Sequence, residues 1–248
     1  MWDDTRQLNL AAGGLALIAL LLFAWGGLAW LARQPVFALR EVVVTTPPTR
    51  VSPAHVEAVI RDEFSGTLFT LDLVRARTAL SRVPWVRSVA LRRQAPARLE
   101  VAIEEHVPLA RWNESGLVNS EGEVFVADYD GELPQFDAPD GRSAEVTARY
   151  REWSDLLAPL ALVVQQVALS ARGAWHLRVA GGASPLAIEL GRDDPSQRLA
   201  RFVAAYKGTV GALARAGTRI DRVDLRYRNG FAARVPGLPE LPARKTTG

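Results

Sequence analysis

Leu10 to Ala32 reads LAAGGLALIALLLFAWGGLAWLA, 23 consecutive positions without a charged side chain. A helix of that length reaches roughly 34 Å, slightly more than the ~30 Å hydrocarbon core of a bilayer. Trp25 and Trp30 lie toward its end, where amphipathic rings favour the interface, and Arg33 marks the exit. A buried helix in a globular core rarely runs uncharged beyond 20 positions. A cleaved leader needs a shorter apolar region, a basic start and a small-x-small site. The start here is Trp2-Asp3-Asp4-Thr5-Arg6 and the end is Trp30-Leu31-Ala32-Arg33. The run is therefore read as a retained membrane anchor, Leu10 to Ala32.

Flanking charge does not orient this anchor. Arg6 is offset by Asp3 and Asp4, whereas Arg33 and Arg40 lie on the other side. The chain has no cysteine, which excludes a disulfide framework and thiolate ligands. Its formal net charge is +3, carried almost wholly by arginine, with Lys207 and Lys245 as the two lysines. These arginines alternate with acids and form no block, the pattern of a solvated mixed-sign surface and not of a nucleic-acid groove.

Working outward from the anchor, Phe37 to Val44 is rich in β-branched residues and reads as a strand closed by Pro47-Pro48. Ser52-Pro53 is an N-cap followed by proline at the first helical position, and Val56, Val59, Ile60 and Phe64 recur at helical spacing. Ser65-Gly66 ends that helix. Asp72 caps a second helix, with Leu73, Ala76 and Leu80 on one side, that must stop before Pro84. Trp85 to Arg93 reads as a strand. In the next, Leu99, Val101 and Ile103 alternate with Arg98, Glu100 and Glu104, so one face is buried and one wet. The order β-α-α-β-β makes a compact α+β unit.

Beyond Pro108, Gly116 to Asn119 and Gly122 to Phe125 read as a short hairpin, and Asp128 to Gly141 as a loop. Thr147 to Leu160 reads as a helix, followed by strands at Leu162 to Leu169, Trp175 to Val179 and Leu186 to Leu190. A long helix is expected from Pro195 to about Arg215, with Leu199, Phe202, Val203 and Tyr206 inward. Two final strands are expected, Ile220 to Tyr227 and Phe231 to Val235, joined by Asn229-Gly230, a strong signal for a two-residue type I′ turn. A last strand followed by Pro236 is a natural sheet edge, with backbone groups free to pair with another chain. The tail, 237–248, has too little apolar content to fold alone.

No constellation points to catalysis, a metal or a cofactor. His55, His106 and His176 are scattered, without partners at ligand spacing, and no nucleophile elbow, phosphate loop or Ser-x-x-Lys occurs. Glu104 and Glu105 are adjacent on a strand and cannot converge; Asp193-Asp194 precede a helix and read as its cap.

In this order the segments resemble the FtsQ/DivIB family of bacterial cell-division proteins. The residues carrying the likeness in the first unit are Gly66-Thr67-Leu68-Phe69-Thr70-Leu71-Asp72, Leu80 to Val86, and Glu105 to Trp112. In the second they are Gly116 to Asn119 with Gly122 and Phe125, Leu133-Pro134, Leu190-Gly191-Arg192, and Ile220 to Tyr227. The resemblance implies an α+β architecture: a cytoplasmic N-terminus (1–9), a single transmembrane helix (10–32), a POTRA domain (36–107), a β domain of mixed strands and helices ending in an edge strand (108–236), and a disordered tail (237–248). It also implies a non-enzymatic, single-pass type II protein of the bacterial inner membrane. Its bulk would lie in the periplasm, at the division septum. There it would bind FtsB and FtsL and connect FtsK to the septal peptidoglycan synthesis proteins. On this reading FtsB adds an extended segment to the edge strand. Main-chain hydrogen bonds along the edge strand after the Asn229-Gly230 turn, Ala233 among its residues, would set the register. Tyr227, Phe231 and Val235 would supply apolar contact. Arg234, Arg226, Arg228 and Arg172, the last at a position where the family carries basic residues, would attract acidic side chains. POTRA domains also serve envelope-assembly and secretion machines, but those carry a C-terminal β-barrel for which this chain has no room; a tethered cell-wall hydrolase would need paired acids or a nucleophile.

Overall fold

The computed structural model describes residues 5–64, 66–95, 97–181 and 185–236. Helix α1 (Thr5–Ala32) contains the uncharged run, and its stretch Asn9–Ala32 is long and apolar enough to cross a membrane, with its apolar side chains exposed. The chain divides into two compact units, Met1–His106 and Val107–Gly248. The expected disordered tail lies outside the described residues, as do Met1 to Asp4 of the expected cytoplasmic segment and Ser65 of the helix-ending Ser-Gly pair.

In the first unit a three-stranded sheet is ordered β1-β3-β2, from β1 (Glu41–Val44), β2 (Val86–Gln94) and β3 (Arg98–Glu105). β1 runs parallel to β3, with Val42 opposite Leu99, and β2 runs antiparallel to it. β1 is shorter than the expected strand. Pro35–Phe37 forms a 3₁₀ turn in which Phe37 N–H donates to Gln34 O (3.0 Å), and proline's fixed φ favours that turn over an extended start. Helices α2 (Pro53–Glu63) and α3 (Leu73–Leu80) bury Val56, Ala76 and Leu80 in one cluster with Leu99, Val101 and Ile103. Asp72 caps α3, its Oδ1 accepting from the Val74 and Arg75 amides at 2.9 and 3.0 Å. Ser52 occupies the N-cap of α2 but makes no capping bond through its side chain.

The loop before α2 is instead gripped by Glu105. Its carboxylate accepts from Thr49 Oγ1 (2.6 Å) and from the amides of Thr49 (3.2 Å), Arg50 (2.8 Å) and Val51 (2.7 Å). Partial burial pushes this carboxyl's pKa up, but the donated hydrogen bonds outweigh it and hold the pKa below the ordinary value. Glu104, one residue earlier, is turned the other way, bonded to Arg87 and Ser88.

The second unit is one nine-stranded sheet, ordered β12-β11-β10-β9-β8-β7-β4-β5-β6. Its strands are β4 (Pro108–Trp112), β5 (Gly116–Asn119), β6 (Val124–Phe125), β7 (Gln135–Asp137), β8 (Val163–Leu169), β9 (Trp175–Ala180), β10 (Leu186–Gly191), β11 (Arg222–Asp224) and β12 (Ala232–Arg234). α4 (Ser143–Leu157) and α5 (Pro195–Tyr206) share its core cluster. Trp153 is fully buried, edge-on to Trp175 at 5.2 Å, and its Nε1 donates to Ser196 Oγ (2.9 Å), tying α4 to α5.

Three expectations are corrected here. The stretch expected to be a loop contains β7, whose Phe136 is fully buried between β4 and β8; three residues flanked by prolines carry no legible alternation. The long C-terminal helix is broken at Lys207-Gly208-Thr209 into α5 and α6 (Val210–Arg215), where glycine's backbone freedom disfavours helix. Asp194 stands at the N-cap of α5 with φ 47° and makes no side-chain capping bond, while Asp193 reaches Arg198 at 3.8 Å.

Candidate docking edge

The C-terminal edge of the nine-stranded sheet is built by pairing β11 parallel to β10 and β12 antiparallel to β11. Ala187 N–H donates to Asp221 O (3.0 Å) and Leu225 N–H to Glu189 O (2.8 Å), so Val223 between them turns its peptide groups toward β10, while Asp221 N–H donates to Arg234 O (3.3 Å). Arg222 and Asp224 therefore face β12, opposite Arg234 and Ala232. Since peptide groups alternate sides along a strand, Ala233 directs its N–H and C=O outward. Phe231 and Val235 flank this strand on either side. Among the described residues no strand pairs with this outer side.

The connection between the last two strands is not a type I′ turn. Neither Asn229 nor Gly230 has the positive φ that such a turn requires, and strand pairing stops at Asp224 and Ala232, leaving the intervening residues as a wide loop. Two local interactions bend the chain early: Asp224 Oδ1 accepts from the Arg226 amide (3.0 Å), and Arg201 Nη1 donates to Arg228 O (2.5 Å).

The structure separates the side chains named from sequence. Tyr227 is 57% exposed and is not a core residue. Phe231 and Val235 are half-buried against the core, Phe231 edge-on to Phe202 at 5.5 Å. Ala233 and Arg234 are exposed along the edge. Arg226 is clamped by Asp224, Nε to Oδ1 at 2.9 Å and Nη2 to Oδ2 at 2.7 Å, with Glu189 3.6 Å away. The Arg226 guanidinium holds the Asp224 carboxyl below its usual range against the opposing effect of burial, and Asp224 in turn raises the Arg226 pKa. Arg228, Asn229 and Gly230 line a depression of about 460 Å³ floored by Phe202, Leu225 and Phe231. Arg172 sits in the tight turn between β8 and β9, where Gly173 takes φ 81°. With Arg192, Arg198 and Arg226 it lines a second depression, also about 460 Å³.

Arg198 and Arg201 were not singled out from sequence. They stand three residues apart on α5, flanking the apolar stripe that was read, and Arg198 lines both depressions. Their spacing was the available signal; that the β11–β12 loop folds over them is a tertiary fact. Together the edge offers free main-chain groups, an apolar floor and an excess of guanidinium charge, which suits an extended acidic and apolar peptide.

An apolar helix long enough to cross a membrane, a β-α-α-β-β unit and a nine-stranded sheet with an open edge define a single-span type of chain bearing two folded units. Residues 37–106 match the FtsQ-type POTRA domain, and residues 110–226 match the C-terminal region of cell division protein FtsQ/DivIB. The chain is 40% identical over 245 residues to cell division protein FtsQ of Burkholderia pseudomallei (strain K96243), covering 96% of each chain. To cell division protein FtsQ of Escherichia coli (strain K12) it is 32% identical over 238 residues, covering 93% of this chain and 84% of that one. The chain belongs to the FtsQ/DivIB family of cell division proteins.

Proposed function

We propose that this protein is a non-catalytic scaffold of the division apparatus that takes up FtsB, with FtsL, by strand addition at the outer side of β12. In this reading the bulk of the chain is periplasmic, the protein gathers at the division septum, and the docked complex links FtsK to the septal peptidoglycan synthesis proteins. The observation that carries the docking model is the outward main chain of Ala233, flanked by Phe231 and Val235, on an unpaired edge. Tyr227 and the depression floored by Phe202 and Phe231 supply apolar contact; Arg172, Arg228 and Arg234 supply charge, whereas Arg226 is largely committed to Asp224. Several new main-chain bonds, each about 0.5–1.5 kcal/mol net, give such docking its strength and its register.

Hydrogen exchange of the full chain with and without the periplasmic region of FtsB tests this. The amides of Phe231, Ala233 and Val235 become protected on binding; FtsB that binds while these amides exchange at unchanged rates refutes strand addition.

A further inference from the structure

The exit of α1 is tied directly to the first globular unit. Thr67 Oγ1 donates to Ala32 O at 2.7 Å, so the Thr67 side chain lies at the level where the apolar helix ends. The loop bearing Thr67 is fixed to the linker: Leu68 N–H donates to Phe37 O (2.7 Å), and Ala38 bridges Thr67. Phe69 follows Thr67 by two residues, at most about 7 Å even if extended. The headgroup layer outside the hydrocarbon is itself about 5–8 Å deep on each side. Phe69 is therefore held within interfacial depth of the span's end.

Several of the exposed side chains on these segments are apolar. Phe69 is 54% exposed and stacked edge-on to Phe37 at 5.0 Å; Val36, beside Phe37, is 62% exposed; and Val74, in the first turn of α3, is 73% exposed. Val36, Phe37 and Phe69, clustered in this way, mark an interaction surface, and Val74 lies in the first turn of the helix that follows Phe69. Arg33 and Arg40 flank them, exposed and without an ion pair among the described residues, as cations near phosphate headgroups would be. At the other end of the same sheet, where Glu105 holds Thr49 to Val51, the exposed side chains include Thr45, Thr46, Thr49 and Arg50.

We propose that the face formed by Val36, Phe37, Phe69 and Val74 rests in the phospholipid headgroup layer of the leaflet into which α1 emerges. This fixes the first unit against the membrane instead of leaving it on a free tether. The inference rests on reading Leu10 to Ala32 as a membrane span.

Because the chain has no native cysteine, single reporters can be placed without background. The full chain is reconstituted into phosphatidylethanolamine–phosphatidylglycerol vesicles with an environment-sensitive fluorophore on Phe69→Cys, Val74→Cys, Ala54→Cys or Leu21→Cys. Ala54 lies in the first turn of α2, ten residues before Phe64 and roughly 15 Å away along the helix. The expected result is quenching of the reporters at 69 and 74 by headgroup-level nitroxide lipid, with loss of quenching by aqueous iodide. The reporter at 54 behaves oppositely, and that at 21 is quenched by nitroxide deep in the acyl region. Adding Phe69→Ser to the Val74→Cys protein restores iodide access at 74. Reporters at 69 and 74 as open to iodide as the one at 54, with 21 in lipid, overturn the proposal, and the face then awaits a protein partner. A reporter at 21 that misses the acyl region overturns the span reading, and the proposal with it.

Discussion

Proline at position 233 separates the docking edge from the fold that carries it. The Ala233 N–H faces away from β11, so Ala233→Pro removes a donor that the β11–β12 ladder does not use. The variant's lost main-chain bond, with the incoming carbonyl left unsatisfied and the ring crowding the docked strand, costs about 1–3 kcal/mol, or about 5- to 150-fold in Kd. Ala232→Pro is the internal control. Its N–H points at Asp224 inside the ladder, so it loosens β12 itself and exposes Phe231, which packs on Phe202. Binding of the FtsB periplasmic region to the full chain in detergent, by calorimetry, is read beside the thermal unfolding of each variant. The expected pattern is weakened binding with little change in unfolding for Ala233→Pro, and loss of both for Ala232→Pro. A folded Ala233→Pro protein that binds with wild-type affinity refutes strand addition, and lowered stability for Ala233→Pro alone refutes the register.

Glu105→Gln removes the charge that collects four hydrogen bonds and should cost the first unit about 1–2 kcal/mol at neutral pH, discounted for partial exposure. Because the folded pKa of Glu105 is depressed, its contribution is present above the ordinary value of 4.5 and is lost as pH falls through the lower folded value. Amide exchange at Thr49 to Val51, corrected for intrinsic rates, should therefore be faster in the variant at pH 7, and the two proteins should converge in acid. Arg172→Glu reverses an exposed charge beside the edge and should slow FtsB association more than it speeds release, by about 3- to 10-fold at low salt and less at high salt; stopped-flow traces at two ionic strengths measure both.

What could be read from sequence follows from how local each determinant is. The span is legible because lipid imposes one requirement on every position from Leu10 to Ala32. The β-α-α-β-β order is legible because Leu99, Val101 and Ile103 alternate and Asp72 caps within its own turn. Asn119, in the Gly116 to Asn119 run that carries part of the resemblance, has an equally local task. Its buried amide accepts from the Glu121 and Glu123 amides at 3.0 and 2.8 Å and shapes the β5–β6 turn. The docking edge depends on less local facts. A two-residue turn at Asn229-Gly230 would make Arg228 and Phe231 a hydrogen-bonded pair, and Arg226 and Ala233 the next one, turning the Ala233 peptide group inward. The observed register instead sets Val223 opposite Ala233, because β11 is already committed to β10 through Leu225 and the chain bends at the Asp224 side chain. That is an odd shift in register, and in a strand an odd shift exchanges the inward and outward sets. The Asn-Gly signal alone would have hidden in the ladder the donor that the docking model needs; the parallel pairing of a strand more than thirty residues earlier, at Glu189, is what turns it to the open edge.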